Sequence, residues 1–152
     1  MAHLVLYDGV CGLCDRFVQI LLRIDRRDQL RFAALQGPIG KRILAQAGRT
    51  SNALSTVIVV ADYGQPTQRL LDRSDAALFA IASADGVYRA ANALRLIPRF
   101  IRDAVYDLIA RTRYRIFGRF DACPVPEART RAKFLDFDGA ARDFEAGRKA
   151  EI

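Results

Sequence analysis

The chain has 152 residues, of which 51% are hydrophobic, so it can bury one core and has the size of a single domain. Its 24 Lys and Arg residues exceed its 17 Asp and Glu residues and leave a formal net charge of +7. The basic residues form no dense run, so the charge does not predict a nucleic-acid-binding protein. No stretch approaches the roughly 20 apolar residues of a membrane-spanning helix.

The first predicted strand leads directly into a pair of cysteines. Residues 3–7 form a short apolar run that ends at Asp8 and Gly9, as a buried strand followed by a turn does. From Cys11 onward, apolar residues recur at helical spacing up to the charged segment 25–28. The pattern predicts an amphipathic helix that begins at the cysteines.

A second strand and helix follow, and then the strongest strand signal of the chain. Residues 30–35 predict a strand, and Pro38 opens a helix that ends at Gly48. Residues 55–61 form a continuous run rich in β-branched side chains, which is typical of a strand buried on both faces. We therefore expect this strand to be central in the sheet.

The next elements complete an α/β unit. Residues 62–66 predict a turn, residues 67–71 a returning hairpin strand, and Ser74 with Asp75 a cap for a third helix. The order is βαβ followed by ββα, the order of a thioredoxin-like sheet.

Beyond Gly86 the pattern becomes helical. Residues 88–96 and 98–114 predict helices that cover the sheet or the site. Five apolar residues fall on one face of the second of these helices, namely Phe100, Ile101, Val105, Leu108 and Ile109. We predict one domain over residues 1–152, with a core at about 3–85, a helical extension at about 86–135 and a charged tail at 136–152. In the C-terminal part, Phe134, Leu135, Phe137 and Phe144 are the candidate anchors.

The pair Cys11-Gly12-Leu13-Cys14 carries the chemistry that the sequence indicates. Three cysteines are too few for a disulfide framework, so a CxxC pair indicates redox or metal chemistry. The unpaired N–H groups at a helix start lower the pKa of a thiol, which favours Cys11 as the attacking thiolate. Cys14 lies one helical turn later on the same face and can resolve a mixed disulfide formed at Cys11.

Two other interpretations of the cysteines remain open. Half-buried cysteines can simply fill a core. A zinc site needs four ligands, for which the chain offers three cysteines and His3, a residue more typical of a core or a sheet edge. We expect no metal and no cofactor.

Two further residues near the motifs have alternative roles. Asp8 precedes Cys11 by three residues and can relay the proton released when the pair changes state, although Asp before Gly is also a common turn residue. Cys123, in the turn-rich segment 121–126, is a possible third redox thiol or a structural residue.

The segment from Tyr7 to Cys14, Tyr-Asp-Gly-Val-Cys-Gly-Leu-Cys, resembles the signature of the DCC family of predicted thiol-disulfide oxidoreductases. Later blocks of the family are matched by residues 32–36, 55–57, 73–76, 97–98, 102–103, 113–115 and 117–119 and by Cys123. The resemblance covers roughly residues 3–135 in order. It implies a thioredoxin-like fold, in agreement with the element order, and thiol-disulfide exchange.

The resemblance also suggests residues that line the site. Many thioredoxins place a cis-proline before the strand that faces the CxxC, but residues 53–57 contain no proline, and Ser55 or Thr56 can offer hydroxyl or backbone groups there instead. Four arginines in the family-like blocks are candidates to stabilise a thiolate or to hold an acidic substrate such as glutathione, namely Arg73, Arg102, Arg113 and Arg119. Each can equally be a solvated surface residue.

The sequence therefore predicts a thiol-disulfide oxidoreductase that uses Cys11 and Cys14. Its expected partners are a protein or glutathione-like thiol or disulfide and a cellular reductant, with no nucleic acid. The alternative is a non-catalytic thioredoxin-like binding module whose cysteines sense redox state or bind metal. The first residues lack the layout of a signal peptide, which predicts a cytoplasmic protein.

Overall fold

The structure is a computed structural model that describes residues 2–49, 56–84, 86–121 and 127–136. Its strands are β1 (His3–Tyr7), β2 (Leu30–Ala34), β3 (Ile58–Ala61) and β4 (Arg69–Asp72). Its α-helices are α1 (Gly12–Ile24), α2 (Pro38–Gln46), α3 (Arg73–Ala82) and α4 (Arg99–Phe117). Two stretches are 3₁₀ helix, Gly86–Leu96 and Arg131–Lys133.

The four strands form one mixed sheet in the order β2-β1-β3-β4. Strand β1 pairs in parallel with β2 and antiparallel with β3, and β3 pairs antiparallel with β4. A parallel pair needs a crossover connection, and α1 supplies it between β1 and β2. The predicted thioredoxin-like α/β fold is confirmed, and the strand predicted to be central, β3, lies inside the sheet.

The sheet is buried on both faces because its inner strands are apolar at every position after His3. In β1, Val5 and Tyr7 pack on the face that carries α1 and α3, whereas Leu4 and Leu6 pack on the face that carries α2. These two apolar clusters make a three-layer molecule. The end of β1 is therefore held rigidly, and the cysteines follow directly from it.

The turn after β1 places the first cysteine at the start of α1. The backbone N–H of Cys11 donates to the Asp8 carbonyl over 3.2 Å, and Cys11 is the N-cap residue, with extended backbone. Helix α1 then begins at Gly12, as the pattern of apolar residues predicts. Cys14 consequently lies in the first turn, on the buried face of the helix.

Helix α3 begins earlier than the sequence suggests. Ser74 and Asp75 are not its cap; the N-cap residue is Asp72, whose backbone is extended. The Ser74 hydroxyl instead donates to Asp103 on α4 over 2.5 Å. A tertiary hydrogen bond thus replaces the local capping bond that the sequence predicts.

The helical extension packs beside α1 and α3, and the apolar face that the sequence marks on α4 is largely exposed. Helix α4 contacts α1 and α3. The one buried residue of α4 is Arg113, which is 2% exposed, whereas Phe100 is 74% and Leu108 is 64% exposed. Helix α4 packs against α1 and α3 through the face that carries Tyr106 and Arg113, so its apolar residues stay exposed. No helix of the described residues is long and apolar enough to cross a membrane.

The described C-terminal part lies along the outer strand β2. The Leu135 N–H donates to the Phe32 carbonyl over 2.9 Å, and the Asp136 carboxylate accepts from the Ala34 N–H over 2.5 Å. Phe134 and Leu135 are buried, so the prediction that they anchor this part is confirmed. The other two predicted anchors, Phe137 and Phe144, lie outside the described residues.

A substitution at Gly40 tests how closely α2 approaches the sheet. A Cβ atom at this position would lie 2.4 Å from the Ala34 carbonyl oxygen and 2.8 Å from backbone atoms of Leu35. We expect Gly40→Ala to lower the free energy of unfolding by about 1–3 kcal/mol, because rigid backbone must move. Urea denaturation measures this change. Gln46→Ala, at an exposed position of the same helix, is the control and should leave stability within about 0.5 kcal/mol.

Candidate redox site

The two thiols of the CxxC motif are neighbours, and both are buried. Cys11 is 0% exposed and Cys14 is 4% exposed. A hydrogen bond from the Cys14 thiol, opposed by burial and aided by backbone N–H groups and Arg113, lowers the pKa of Cys11 to about 6. The same hydrogen bond and burial raise the pKa of Cys14. The pair is therefore asymmetric, with the negative charge on Cys11.

A buried arginine from the far end of the chain stands beside the thiols. Arg113, on α4, places Nη1 3.9 Å from the sulfur of Cys14. Its Nη2 lies 3.0 Å from the Asp8 carboxylate, with which it forms an ion pair that is almost completely shielded from solvent. The sequence offered Arg113 as a candidate to stabilise a thiolate or to hold an acidic substrate, or else as a solvated surface residue. The structure places it inside the site, against both the thiols and Asp8.

Asp8 holds a network of donors around this ion pair. Its carboxylate accepts from Gln36 Nε2 over 2.8 Å, from the Val10 N–H over 3.2 Å, from Arg113 and from the Tyr114 hydroxyl. A buried carboxylate that accepts from several donors fixes their positions. Sequence reasoning singled out neither Gln36 nor Tyr114 as a site residue, although both lie in the blocks that resemble the family.

The segment 118–120 covers Cys11. The Gly12 N–H donates to the Gly118 carbonyl over 3.3 Å, and the Phe120 N–H donates to the Val10 carbonyl over 2.8 Å. Gly118 has φ 77°, which allows the chain to turn sharply after α4. We call residues 118–120 the covering segment. It pairs with the CxxC turn like a short antiparallel strand and accounts for the burial of Cys11.

Gly12 makes this close approach possible. A Cβ atom at Gly12 would lie 2.3 Å from the Phe117 carbonyl oxygen. The end of α4 therefore rests directly on the backbone between the two cysteines, where no side chain fits. Packing thus requires glycine at position 12, between the two cysteines.

A tyrosine side chain is hydrogen bonded to the two residues that precede β3. The Tyr106 hydroxyl accepts from the Val57 N–H over 2.9 Å and from the Thr56 hydroxyl over 2.8 Å. The hydroxyl of Thr56, a predicted substrate-binding residue, is thus directed at Tyr106. Ser55, predicted with it, lies outside the described residues. Tyr106 was missed because nothing local in the sequence marks its contact with residues 49 or more positions away.

A cavity of about 220 Å³ borders the second cysteine. Its walls are mainly apolar side chains, including Leu13, Phe17 and Val57, and Cys14 and Arg113 also line it. A second cavity of about 280 Å³ shares Tyr106, Ala77 and Ile109 with the first. Together they form an apolar groove between α3 and α4 that ends at Cys14.

The remaining predicted arginines contact acidic or aromatic groups of the protein. The ion pairs are Arg73 with Asp107 at 3.6 Å and Arg102 with Asp75 at 2.8 Å. Arg119 lies over the Tyr114 ring, 5.6 Å from its centroid, and its backbone pairs with Cys11. Cys123 lies outside the described residues.

His3 lies away from the cysteines, at the other end of β1. Its Nδ1 accepts from the Asp62 N–H over 3.0 Å, and its ring packs edge-on against Phe79 at 5.0 Å. Within residues 2–49, 56–84, 86–121 and 127–136, no three His, Cys, Asp or Glu side chains come together as metal ligands. His3 thus lies at the start of β1, with contacts typical of a structural histidine.

Similar proteins agree with this site. A family model described as DCC1-like thiol-disulfide oxidoreductase matches residues 5–119. A DCC family protein of Arabidopsis thaliana, described as chloroplastic, is 36% identical over 121 residues, 79% of this chain and 67% of the plant protein. The protein YuxK of Bacillus subtilis (strain 168), described as uncharacterized, is 30% identical over 133 residues, 88% of this chain and 93% of YuxK. No solved structure matches the chain significantly. The chain belongs to the DCC1-like thiol-disulfide oxidoreductase family.

Proposed function

We propose that the protein catalyses thiol-disulfide exchange, with Cys11 as the attacking thiolate and Cys14 as the resolving thiol. The observation that carries the proposal is the placement of both thiols at the start of α1, with the buried guanidinium of Arg113 3.9 Å from Cys14. A thiolate at a helix start beside a fixed cation is the environment that activates a cysteine. The family assignment supports the same chemistry.

The reaction transfers two electrons to the substrate. The Cys11 thiolate attacks one sulfur of the substrate disulfide, forms a mixed disulfide and releases the other substrate sulfur as a thiolate. Cys14 then loses its proton and attacks the Cys11 sulfur, which frees the second substrate thiolate. The products are a Cys11–Cys14 disulfide and a dithiol, which takes up the Cys14 proton and one proton from water. A dithiol reductant restores the enzyme by the reverse exchange.

Arg113 and Asp8 have separate roles in this proposal. Arg113 favours negative charge on whichever sulfur carries it during the exchange, since its guanidinium faces the thiols. Asp8 is a positioning residue, because its contact with the site runs through Arg113, Tyr114 and Gln36. We favour this role over the proton relay for which the sequence offered Asp8.

The attack requires the covering segment to move. Cys11 has no exposed surface, and residues 118–120 pair with the turn before and after it. Two backbone hydrogen bonds, from Gly12 and from Phe120, hold this pairing. Bonds of this kind open locally without unfolding the domain.

A second candidate function is a binding module whose thiols only sense redox state. The complete burial of Cys11 favours it, because a nucleophile must reach its substrate. Our proposal differs in requiring turnover against a disulfide. Its partners are a thiol or disulfide substrate and a cellular dithiol, and its proposed location is the cytoplasm, as the reducing chemistry of the pair suggests.

Trapping of the mixed disulfide tests the proposed order of attack. In a Cys123→Ser background, Cys14→Ser should accumulate a mixed disulfide at Cys11 on incubation with a small neutral disulfide, because resolution is blocked. Intact mass and peptide mapping detect the adduct. Cys11→Ser should react about tenfold or more slowly, since the remaining Cys14 thiol lies inside the helix rather than at its N-cap and burial raises its pKa. Equal reaction of the two variants, or no adduct in either, would contradict the assigned roles.

The pH dependence of the Cys11 thiolate tests the hydrogen bond within the pair. Thiolate formation, followed by ultraviolet absorbance of reduced minus oxidised protein, should have its midpoint at about pH 6 and be lost as the pH falls through this value. Cys14→Ala removes the donor and should raise the midpoint by more than about one pH unit. Cys14→Ser keeps a hydroxyl donor and should raise it less. Equal midpoints for the two variants would show that Cys14 does not donate to Cys11.

Asp8→Asn tests the ion pair. The substitution keeps the shape of the side chain but leaves the Arg113 cation buried without its carboxylate, so we expect a loss of about 3–5 kcal/mol in the free energy of unfolding. Urea denaturation at neutral pH measures it. The matched control is Asp28→Asn, an exposed carboxylate that pairs with Arg31 at the surface and should cost less than about 1 kcal/mol. Similar losses in the two variants would refute a structural ion pair at the site.

A further inference from the structure

The apolar groove at Cys14 continues onto an apolar surface. Its inner cavity is lined by Cys14, and its outer cavity reaches Leu94 and Ile101. At the mouth of the outer cavity and beyond it, the 3₁₀ helix Gly86–Leu96, the residue that follows it and α4 expose several large apolar side chains. Leu94, Leu96, Ile97, Phe100, Ile101 and Val105 are each at least 40% exposed. Monomeric proteins rarely expose such contiguous apolar surface without a binding role.

The size and position of this surface indicate a macromolecular substrate. Four of these six side chains line the outer cavity and two, Leu96 and Phe100, lie beyond it, and together they offer more apolar contact than a small disulfide such as glutathione can cover. The groove also ends at a thiol of the reacting pair, so whatever occupies it is held within reach of the exchange. The occupant is therefore the redox substrate itself, and its own apolar side chains match the walls.

The charges at the rim of the groove decide between possible occupants. Three arginines of α3 and α4 there face carboxylates of the protein. The ion pairs are Arg99 with Asp72, Asp75 and Asp103, Arg102 with Asp75, and Arg73 with Asp107. The charges of these three arginines are thus locally neutralised, and they give neither an acidic ligand nor an anionic membrane the attraction that unpaired cations would supply. Apolar contact remains as the basis of recognition.

The backbone beside the thiols also favours recognition through side chains. The Val57 N–H, next to the inner cavity, already donates to the Tyr106 hydroxyl. A substrate strand cannot add to this donor without displacing Tyr106. Side chains that enter the groove need no such displacement.

We propose that this groove is the substrate site for protein disulfides flanked by apolar residues, which place one or two apolar side chains in the cavities while the disulfide reaches the cysteine pair. The inference deepens the proposed exchange reaction and rests on it. The two cavities, of about 220 and 280 Å³, take side chains of the size of leucine or phenylalanine. Burial of one such side chain increases affinity by about tenfold to a hundredfold.

The test compares peptide disulfides that differ only in the residues next to the cysteine. Three peptides are used. In the first the cysteine is flanked by leucine and phenylalanine, in the second by serine and glycine, and in the third by glutamate. Each peptide is joined through a disulfide to the same small neutral thiol. The ratio of kcat/KM for the apolar peptide to kcat/KM for the serine-glycine peptide should be about ten or more in the wild-type chain. The acidic peptide should be no better than the serine-glycine peptide.

Two variants connect this ratio to the groove. Ile101→Gln places a polar side chain in the outer cavity, at a partly exposed position where folding is retained, and should bring the ratio close to one. Leu108→Gln, on the same helix, is exposed and lines neither cavity, so the ratio should stay at the wild-type value. Thermal unfolding of both variants establishes that they fold.

The other possible outcomes overturn the inference in distinguishable ways. Equal rates for the three peptides, or a preference for the acidic one, would show that the groove does not select apolar flanks. Cosedimentation with anionic vesicles that Ile101→Gln abolishes, at an unchanged peptide ratio, would identify a membrane as the occupant. A dimer that Ile101→Gln dissociates, again at an unchanged ratio, would identify a second copy. Failure to reduce even a small neutral disulfide would instead refute the exchange reaction itself, and the inference with it.

Discussion

The ion pair between Asp8 and Arg113 joins the two halves of this molecule at the point where its chemistry lies. Asp8 follows β1, Arg113 lies near the end of α4, and 105 positions of chain separate them. Two charges buried together are stable only when each is paired and hydrogen bonded. Gln36, Tyr114 and the Val10 N–H meet this requirement for Asp8, and the thiols adjoin the other side of Arg113. The position of α4 is therefore constrained by this ion pair, which requires Arg113 to lie beside Asp8.

This arrangement gives the two cysteines different environments although they lie one turn apart. Cys11 takes the helix start, the hydrogen bond from Cys14 and the cover of residues 118–120. Cys14 lies against Arg113 and at the inner end of the groove. A symmetric pair would have no preferred first attack. The asymmetry comes first from the hydrogen bond within the pair and from the helix start, and the distant Arg113 adds to it.

The sequence predicts what depends on short-range pattern. The run of residues 3–7, the helical spacing after Cys11 and the β-branched run before Ala61 predict β1, α1 and β3, because burial of alternate or periodic side chains leaves a local trace. It does not predict which face of α4 is covered, because periodicity marks an apolar face and not what lies against it. The contact of Tyr106 with Val57 and that of Arg113 with Cys14 leave no local trace, since both partners are distant in the chain. The family blocks supplied the one signal that pointed to Arg113.

The sequence separation within the site bears on the order in which the protein is made. A ribosome completes both cysteines about 99 positions before Arg113. Until α4 emerges and docks, the nascent chain has a thiol pair without its cation and without the covering segment. The redox environment of Cys11 is thus complete only when nearly the whole fold is complete. Non-local contacts of this kind also form late in folding, because the loop between them must close first. The chain cannot begin its proposed chemistry with the properties described here before it has finished folding.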